Sequence, residues 1–174
     1  MLLKYGADDF GKKVQEQDGL EVTLTVADFI VHEIVSDELG FTNKVFGEVF
    51  SEYRFHVEQG IFPGDQHFIR HPDPEISALS VDLLADSYEL SKIWSQRQSY
   101  VESEDRMLKE IVPETVLKFK SDKIIEMRKR LQNEIGEAAE KGDMEEVSRL
   151  QKQVAVLNRA LKEISKKLGG RIVL

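Results

Sequence analysis

The feature that most restricts what this chain can fold into is a run from Glu114 to Lys141 with no proline and a single glycine, Gly136. Such a run predicts one helix of about 28 residues, about 42 Å long at 1.5 Å per residue, which is too long for a small bundle to bury. Leu117, Ile124, Leu131 and Ala138 recur every seven residues along it, with Ile135 beside them. Gly142-Asp143 then supplies a tight stop and a new N-cap. Beyond it Val147, Leu150, Val154, Leu157, Leu161, Ile164 and Leu168 follow at alternating three- and four-residue steps, a seam of three heptads. With so few residues between them, the two helices are expected to fold back as an antiparallel hairpin.

The part before this arm is built differently. Residues 1–117 carry 10 Lys and Arg against 23 Asp and Glu, whereas residues 118–174 carry 14 against 9. Thirteen of the fourteen aromatic side chains lie at or before Tyr100, leaving Phe119 alone beyond it. An acidic, ring-rich body followed by a basic arm packed without rings predicts two units, 1–112 and 113–174. The predicted fold class is all-α: a helical bundle, a long connecting helix and an antiparallel C-terminal helical hairpin.

Local signals divide the body. Leu2-Leu3-Lys4-Tyr5-Gly6 reads as a helix end closed by glycine, so the chain begins mid-element and is expected to be a fragment of something longer. Leu20 to Leu24 alternates like a strand, but no second strand is evident, and it is taken as extended chain entering a helix. That helix has Thr25 as N-cap, Asp28 in the capping-box position and Phe29, Ile30, Ile34 and Leu39 on one stripe, ending at Gly40. The strongest core helix starts at Thr42 or Asn43 and carries Val45, Phe46, Val49, Phe50, Tyr53 and Val57 before Gly60. A short turn of helix with His67, Phe68 and Ile69 follows Gly64 or Asp65, stopped by Pro72. Asp73-Pro74-Glu75 opens a further helix with Ile76, Leu79, Leu83 and Leu84. Ser91 to Ser103, with Trp94 and Tyr100, is polar and expected to be irregular. Helix resumes near Ser103 with Met107, Leu108 and Ile111, to be broken or kinked at Pro113, which can equally serve as the first residue of the next helix.

Several chemistries are excluded by what is missing. The chain has no cysteine, which removes disulfides, thiolate metal sites and cysteine nucleophiles. No apolar run approaches the ~20 residues of a membrane span, and no signal segment opens the chain, so a cytoplasmic location is expected. No glycine-rich loop leads into a helix with an early lysine, so no nucleotide-phosphate cradle is predicted. His32-Glu33 begins like a zinc-protease helix, but Ser36 stands where the second histidine would be. His67 and His71 are four apart with Asp73 and Glu75 nearby, the right inventory for a metal, yet a helix end before Pro72 with exposed histidines accounts for them better, and no metal is assigned. Paired acids such as Asp8-Asp9, Glu104-Asp105 and Glu145-Glu146 read as solvated faces. The basic stretch Lys118, Lys120, Lys123, Arg128, Lys129 and Arg130 is interleaved with Asp122 and Glu126 and lacks rings for base stacking, so strong nucleic-acid binding is not expected. No catalytic residue and no cofactor is assigned.

Taken in order, the Leu-Leu-Lys-Tyr-Gly helix end, HPDPEISALSVDLLADSYELSKIW (His71 to Trp94), EDRMLKEIVPETVLKFK (Glu104 to Lys120) and a two-helix tail ending KKLGGRIVL resemble the C-terminal region of bacterial DNA primases of the DnaG type. The resemblance covers nearly the whole chain through compositionally soft motifs. It implies a non-catalytic helicase-binding domain, an all-helical unit followed by a hairpin that docks on the hexameric replicative helicase (DnaB type), with zinc-binding and polymerising parts upstream. It also implies a link to the tail of single-strand-binding protein, which the acidic body disfavours. Within the hairpin, heptad position and charge select Arg149, Gln153, Lys162, Lys166, Arg171 and Ile172 as partner-binding residues. The rivals are the helicase's own N-terminal collar domain, a self-dimerising coiled-coil adaptor using the Val147 to Leu168 seam between chains, and, more distantly, a helical metal-dependent hydrolase holding its metal through His67 and His71.

Overall fold

The computed structural model describes residues 1–15, 21–96 and 104–169. Among them, seven helices and one two-stranded sheet follow in the order α1 (Leu2–Tyr5), β1 (Asp9–Gln15), β2 (Glu21–Thr25), α2 (Val26–Ser36), α3 (Lys44–Val57), α4 (Asp65–Ile69), α5 (Pro74–Gln96), α6 (Glu104–Glu140) and α7 (Met144–Lys167). The class is all-α with a long helix, and the sheet is a small addition to it. The chain divides into two compact units, Met1–Val112 and Pro113–Leu174.

The sheet corrects the expectation of a lone extended segment. β1 pairs antiparallel with β2, with Val14 opposite Val22 and Gln15 opposite Glu21, and an irregularity lies between Asp9 and Lys13. β1 is hidden in the sequence because Asp-Phe-Gly-Lys-Lys-Val-Gln neither alternates nor is rich in β-branched residues. The base of the hairpin also solves the problem of starting α2. The Val26 N–H donates to the Asp8 carbonyl and the Ala27 N–H to the Gly6 carbonyl, both at 3.0 Å. The Asp28 N–H donates to Thr25 Oγ1 at 3.1 Å, and the Asp28 carboxylate accepts from the Thr25 N–H at 2.9 Å. The first three orphan donors of the helix are thereby satisfied.

α2 ends earlier than Gly40. Glu38 takes the left-handed conformation, φ 52°, with its N–H on the Val35 carbonyl and the Leu39 N–H on the Ile34 carbonyl. This is the hydrogen-bond pattern that usually needs glycine one position past the cap. α3 is capped by Asn43, whose side chain accepts from the Phe46 N–H, and it supplies Val49, Phe50 and Tyr53 to the core. Ala27, Val49, Tyr53, Phe68 and Ile76 form one buried cluster, with Leu2, Leu3, Val45, Val57, Phe62 and Leu79 packed around it. Phe10 stacks on Phe29 at 4.4 Å, fixing the strand pair against α2. A Cβ on Gly6 would overlap the Tyr53 hydroxyl, so that glycine is required by the close approach of α1 to α3.

α5 differs from expectation at its far end. It continues through Ser91 to Gln96, because a polar stretch without glycine or proline keeps adequate helix propensity; residues 97–103 lie outside the described residues. Leu83, expected on the buried stripe, is 42% exposed. Pro113 does not end the following helix: α6 is continuous through it, although proline contributes no N–H to the helix ladder.

In the second unit, α6 closes on Gly142, φ 74°. The Gly142 N–H donates to the Ala139 carbonyl and the Asp143 N–H to the Ala138 carbonyl, both at 3.0 Å. Asp143 then caps α7 through the Glu146 N–H at 3.0 Å. Ala138, Val147 and Leu150 are buried together, with Leu131 and Ile135 packed on them. Further from the turn, Arg128 Nη1 donates to Asn158 Oδ1 at 3.3 Å. Stepping ten residues back from Ala138 and eleven forward from Val147 reaches that pair, so the two helices run antiparallel in register.

Candidate functional site

Two places carry functional groups, one in each unit. In the second unit the seam faces α6, with Val147, Leu150 and Leu161 buried. The groups expected to dock a partner fall on the rest of α7, and Arg149, Gln153, Lys162 and Lys166 are all exposed. They do not share one face. Arg149 and Gln153 follow at a four-residue step and continue to Val156, which is 62% exposed. Lys162 and Lys166 lie about a third of a turn away round the helix. Arg171 and Ile172 fall outside the described residues.

Two of the basic groups on α7 are paired within the helix. Arg149 Nη2 and Nε donate to Glu146 at 2.5 and 2.6 Å, and Lys166 Nζ donates to Glu163 at 2.6 Å. The Arg149 hydrogen bond holds the Glu146 carboxyl below its ordinary range, and the Lys166 hydrogen bond does the same for Glu163. The basic stretch of α6 is likewise engaged: Lys123 and Arg130 both reach Glu126, at 3.1 and 2.7 Å. Three- and four-residue pairs of this kind belong to a solvated helix face.

The second place is in the bundle. Glu52 and His56 are four residues apart on α3 and so lie on one face. Between them in sequence is Tyr53, whose ring stacks on Phe68 of α4 at 5.7 Å and 5°. That stacking sets α4 against α3 and brings His67, the neighbour of Phe68, over Glu52 and His56. His67 Nε2 lies 2.6 Å from Glu52 Oε1, and His71 Nε2 lies 3.0 Å from Glu52 Oε2. The His56 and His67 rings meet edge to face at 5.2 Å. Three of the four histidines in the chain are thus gathered on one carboxylate.

The hydrogen bonds fix how the group is held. The Asp73 N–H donates to His71 Nδ1 at 3.0 Å, so in the neutral ring the proton sits on Nε2, facing Glu52. The Asp73 carboxylate accepts from the Glu75 N–H at 2.8 Å; it caps α5 and does not join the histidines. The carboxylate partner expected from sequence, Asp73 or Glu75, is therefore replaced by Glu52. His56 was missed entirely, although Glu52-x-x-x-His56 on the strongest core helix, ahead of a second histidine pair, was the available signal. His32 is exposed on α2 and is not part of the cluster.

The fold and these two places define an all-α protein with a ligand-competent histidine cluster in its bundle and a paired-helix second unit. Among the described residues, no helix is long and apolar enough to cross a membrane. The chain belongs to the family described as a domain of unknown function (DUF8430), whose model matches residues 1–172. No curated protein and no solved structure matches it.

Proposed function

We propose that this chain is a non-catalytic docking module of bacterial DNA replication, whose C-terminal hairpin recruits a primase to the hexameric replicative helicase in the cytoplasm. The observation that carries the docking role is the Arg149, Gln153 and Val156 flank of α7. An aliphatic side chain 62% exposed stands between polar groups on a helix whose own seam is already filled. The helicase as partner comes from the resemblance of the His71 to Trp94 and Glu104 to Lys120 segments to the primase helicase-binding region. The seam of α7 is used within the chain, against Leu131, Ile135 and Ala138, which argues against its pairing between two copies. Docking of this kind acts by tethering: the upstream polymerase gains effective concentration near the template without new chemistry.

The test is a titration of the cognate hexameric helicase with the full chain and with Val156→Asp, Arg149→Ala and Lys162→Ala variants. Val156→Asp places a charge on the flank's exposed aliphatic side chain and is expected to weaken binding at least ~10-fold, about 1.4 kcal/mol, the loss of an anchoring contact. Arg149→Ala should weaken it less, and Lys162→Ala, on the other flank, should leave it unchanged. Absence of binding by the unaltered chain would remove the helicase from the proposal, and equal losses in all three variants would remove the flank.

A further inference from the structure

The Glu52 cluster is not used by the docking role, and its chemistry points elsewhere. Glu52, His56 and His67 each offer one ligand atom, and these atoms all lie within 4.8 Å of one another. Ligand atoms bound to a single zinc ion at about 2.0–2.2 Å stand roughly 3.3 Å apart. Side-chain rotation alone spans that difference, because His67 and Glu52 are only partly buried, at 39% and 27% side-chain exposure. His56 Nδ1 is buried and makes no hydrogen bond. A buried imidazole nitrogen left unpaired costs about 1–3 kcal/mol, and a cation shared with the neighbouring carboxylate and second imidazole would relieve it.

We propose that Glu52, His56 and His67 form a binding site for one divalent transition-metal ion of the zinc class. Two imidazoles and one carboxylate are a nitrogen and oxygen set that suits zinc, cobalt and nickel and disfavours calcium and magnesium, which take oxygen ligands. Three protein ligands leave a fourth position to water or a ligand atom from outside. His71 is a positioning residue. Its Nδ1 is occupied by the Asp73 N–H, so its Nε2–H holds Glu52 Oε2 and leaves Oε1 for the metal. Metal ligands are commonly oriented by such an outer hydrogen bond. The two elements that supply the ligands, α3 and α4, are already fixed by the Tyr53–Phe68 stack, so the ion would bind a site that the fold has prepared.

The experiment uses the full chain with cobalt(II) as a spectroscopic probe and zinc(II) by calorimetry. The expected result is one ion per chain, with the visible absorption of four- or five-coordinate cobalt, displaced by zinc. His67→Ala and Glu52→Gln should each weaken zinc binding by more than ~100-fold, and His71→Ala by ~10–100-fold, the range for outer partners of a metal ligand. His32→Ala, outside the cluster, should bind as the unaltered chain does. His67 lies at the surface and its removal leaves Phe68 in place, so this variant stays folded and the comparison is readable by circular dichroism. Failure to bind one ion per chain overturns the proposal. So does retention of binding by His67→Ala, or an equal loss in His32→Ala. None of these results bears on the helicase titration, which reads the other unit.

Discussion

The same substitution placed six residues apart should move the stability of the hairpin in opposite directions. Gly136 lies inside α6, is exposed, and a Cβ built on it meets no atom within 4 Å. Gly136→Ala therefore changes only helix propensity, a gain of about 1 kcal/mol. Gly142 also has open space around it, but its φ is +74°. An alanine there is forced into the left-handed region at a cost of about 1–2 kcal/mol, or gives up the two hydrogen bonds to the Ala138 and Ala139 carbonyls that end α6. The two variants should thus differ by roughly 2–3 kcal/mol although neither side chain touches anything. For a unit of this size, 1 kcal/mol is about 4–8 °C in melting temperature. Because the chain has two units, the measurement that isolates the effect is native-state hydrogen exchange at amides of α7 and of α6 beyond Pro113. Protection should rise in Gly136→Ala and fall in Gly142→Ala. Shifts of the same sign would refute the claim that backbone conformation, rather than space, decides these positions. The stabilised variant also tests whether bending at Gly136 matters to docking: helicase affinity unchanged within error would show that it does not.

Two further outcomes follow from the bundle. Glu38 ends α2 in a left-handed conformation, so Glu38→Gly should stabilise the chain by about 1 kcal/mol in urea unfolding; a neutral or destabilising result would contradict the strain. Burial pushes the Tyr53 hydroxyl up to about 12, with Asp28 and Asp8 adding repulsion. The neutral phenol is the native form, so its contribution is complete below the ordinary tyrosine value near 10 and is lost as pH rises through 12, about 2–3 kcal/mol in all. A spectrophotometric titration of the folded chain should show a late-ionising tyrosine, and Tyr53→Phe should abolish both the late step and the alkaline loss of stability. A late step that persists in Tyr53→Phe would rule this out.

What could be read from the sequence was whatever local chemistry decides. Thr25 with Asp28, Asn43, Asp73 with Pro74, and Gly142 with Asp143 each mark a helix boundary through groups three residues apart or fewer, and each occupies that role in the fold. The end of α2 escaped because a non-glycine residue carries the positive φ, and Gly40 was the more ordinary stopping point. β1 escaped because its pairing is decided by β2 and by the Phe10–Phe29 stack, not by its own alternation. The histidine cluster was half legible. His67 and His71 are visible as a four-residue pair, but Glu52 and His56 belong to another helix, and only the packing of Phe68 on Tyr53 unites the two pairs.

The pairing of charges on α7 constrains how docking can gain affinity. Arg149 and Lys166 already hold Glu146 and Glu163 at 2.5–2.6 Å, so an acidic partner surface would exchange one exposed ion pair for another. An exposed pair contributes little to stability, which makes the exchange nearly neutral. In the proposed docking these two pairs would therefore bear on encounter rate and orientation more than on binding strength. The strength must come from surface that the hairpin leaves uncovered, and on the Arg149 flank that surface is Val156. If the hairpin docks as proposed, a single aliphatic anchor on one flank would make a shallow contact of modest affinity, and such a module would gain its hold from several copies bound around an oligomeric partner.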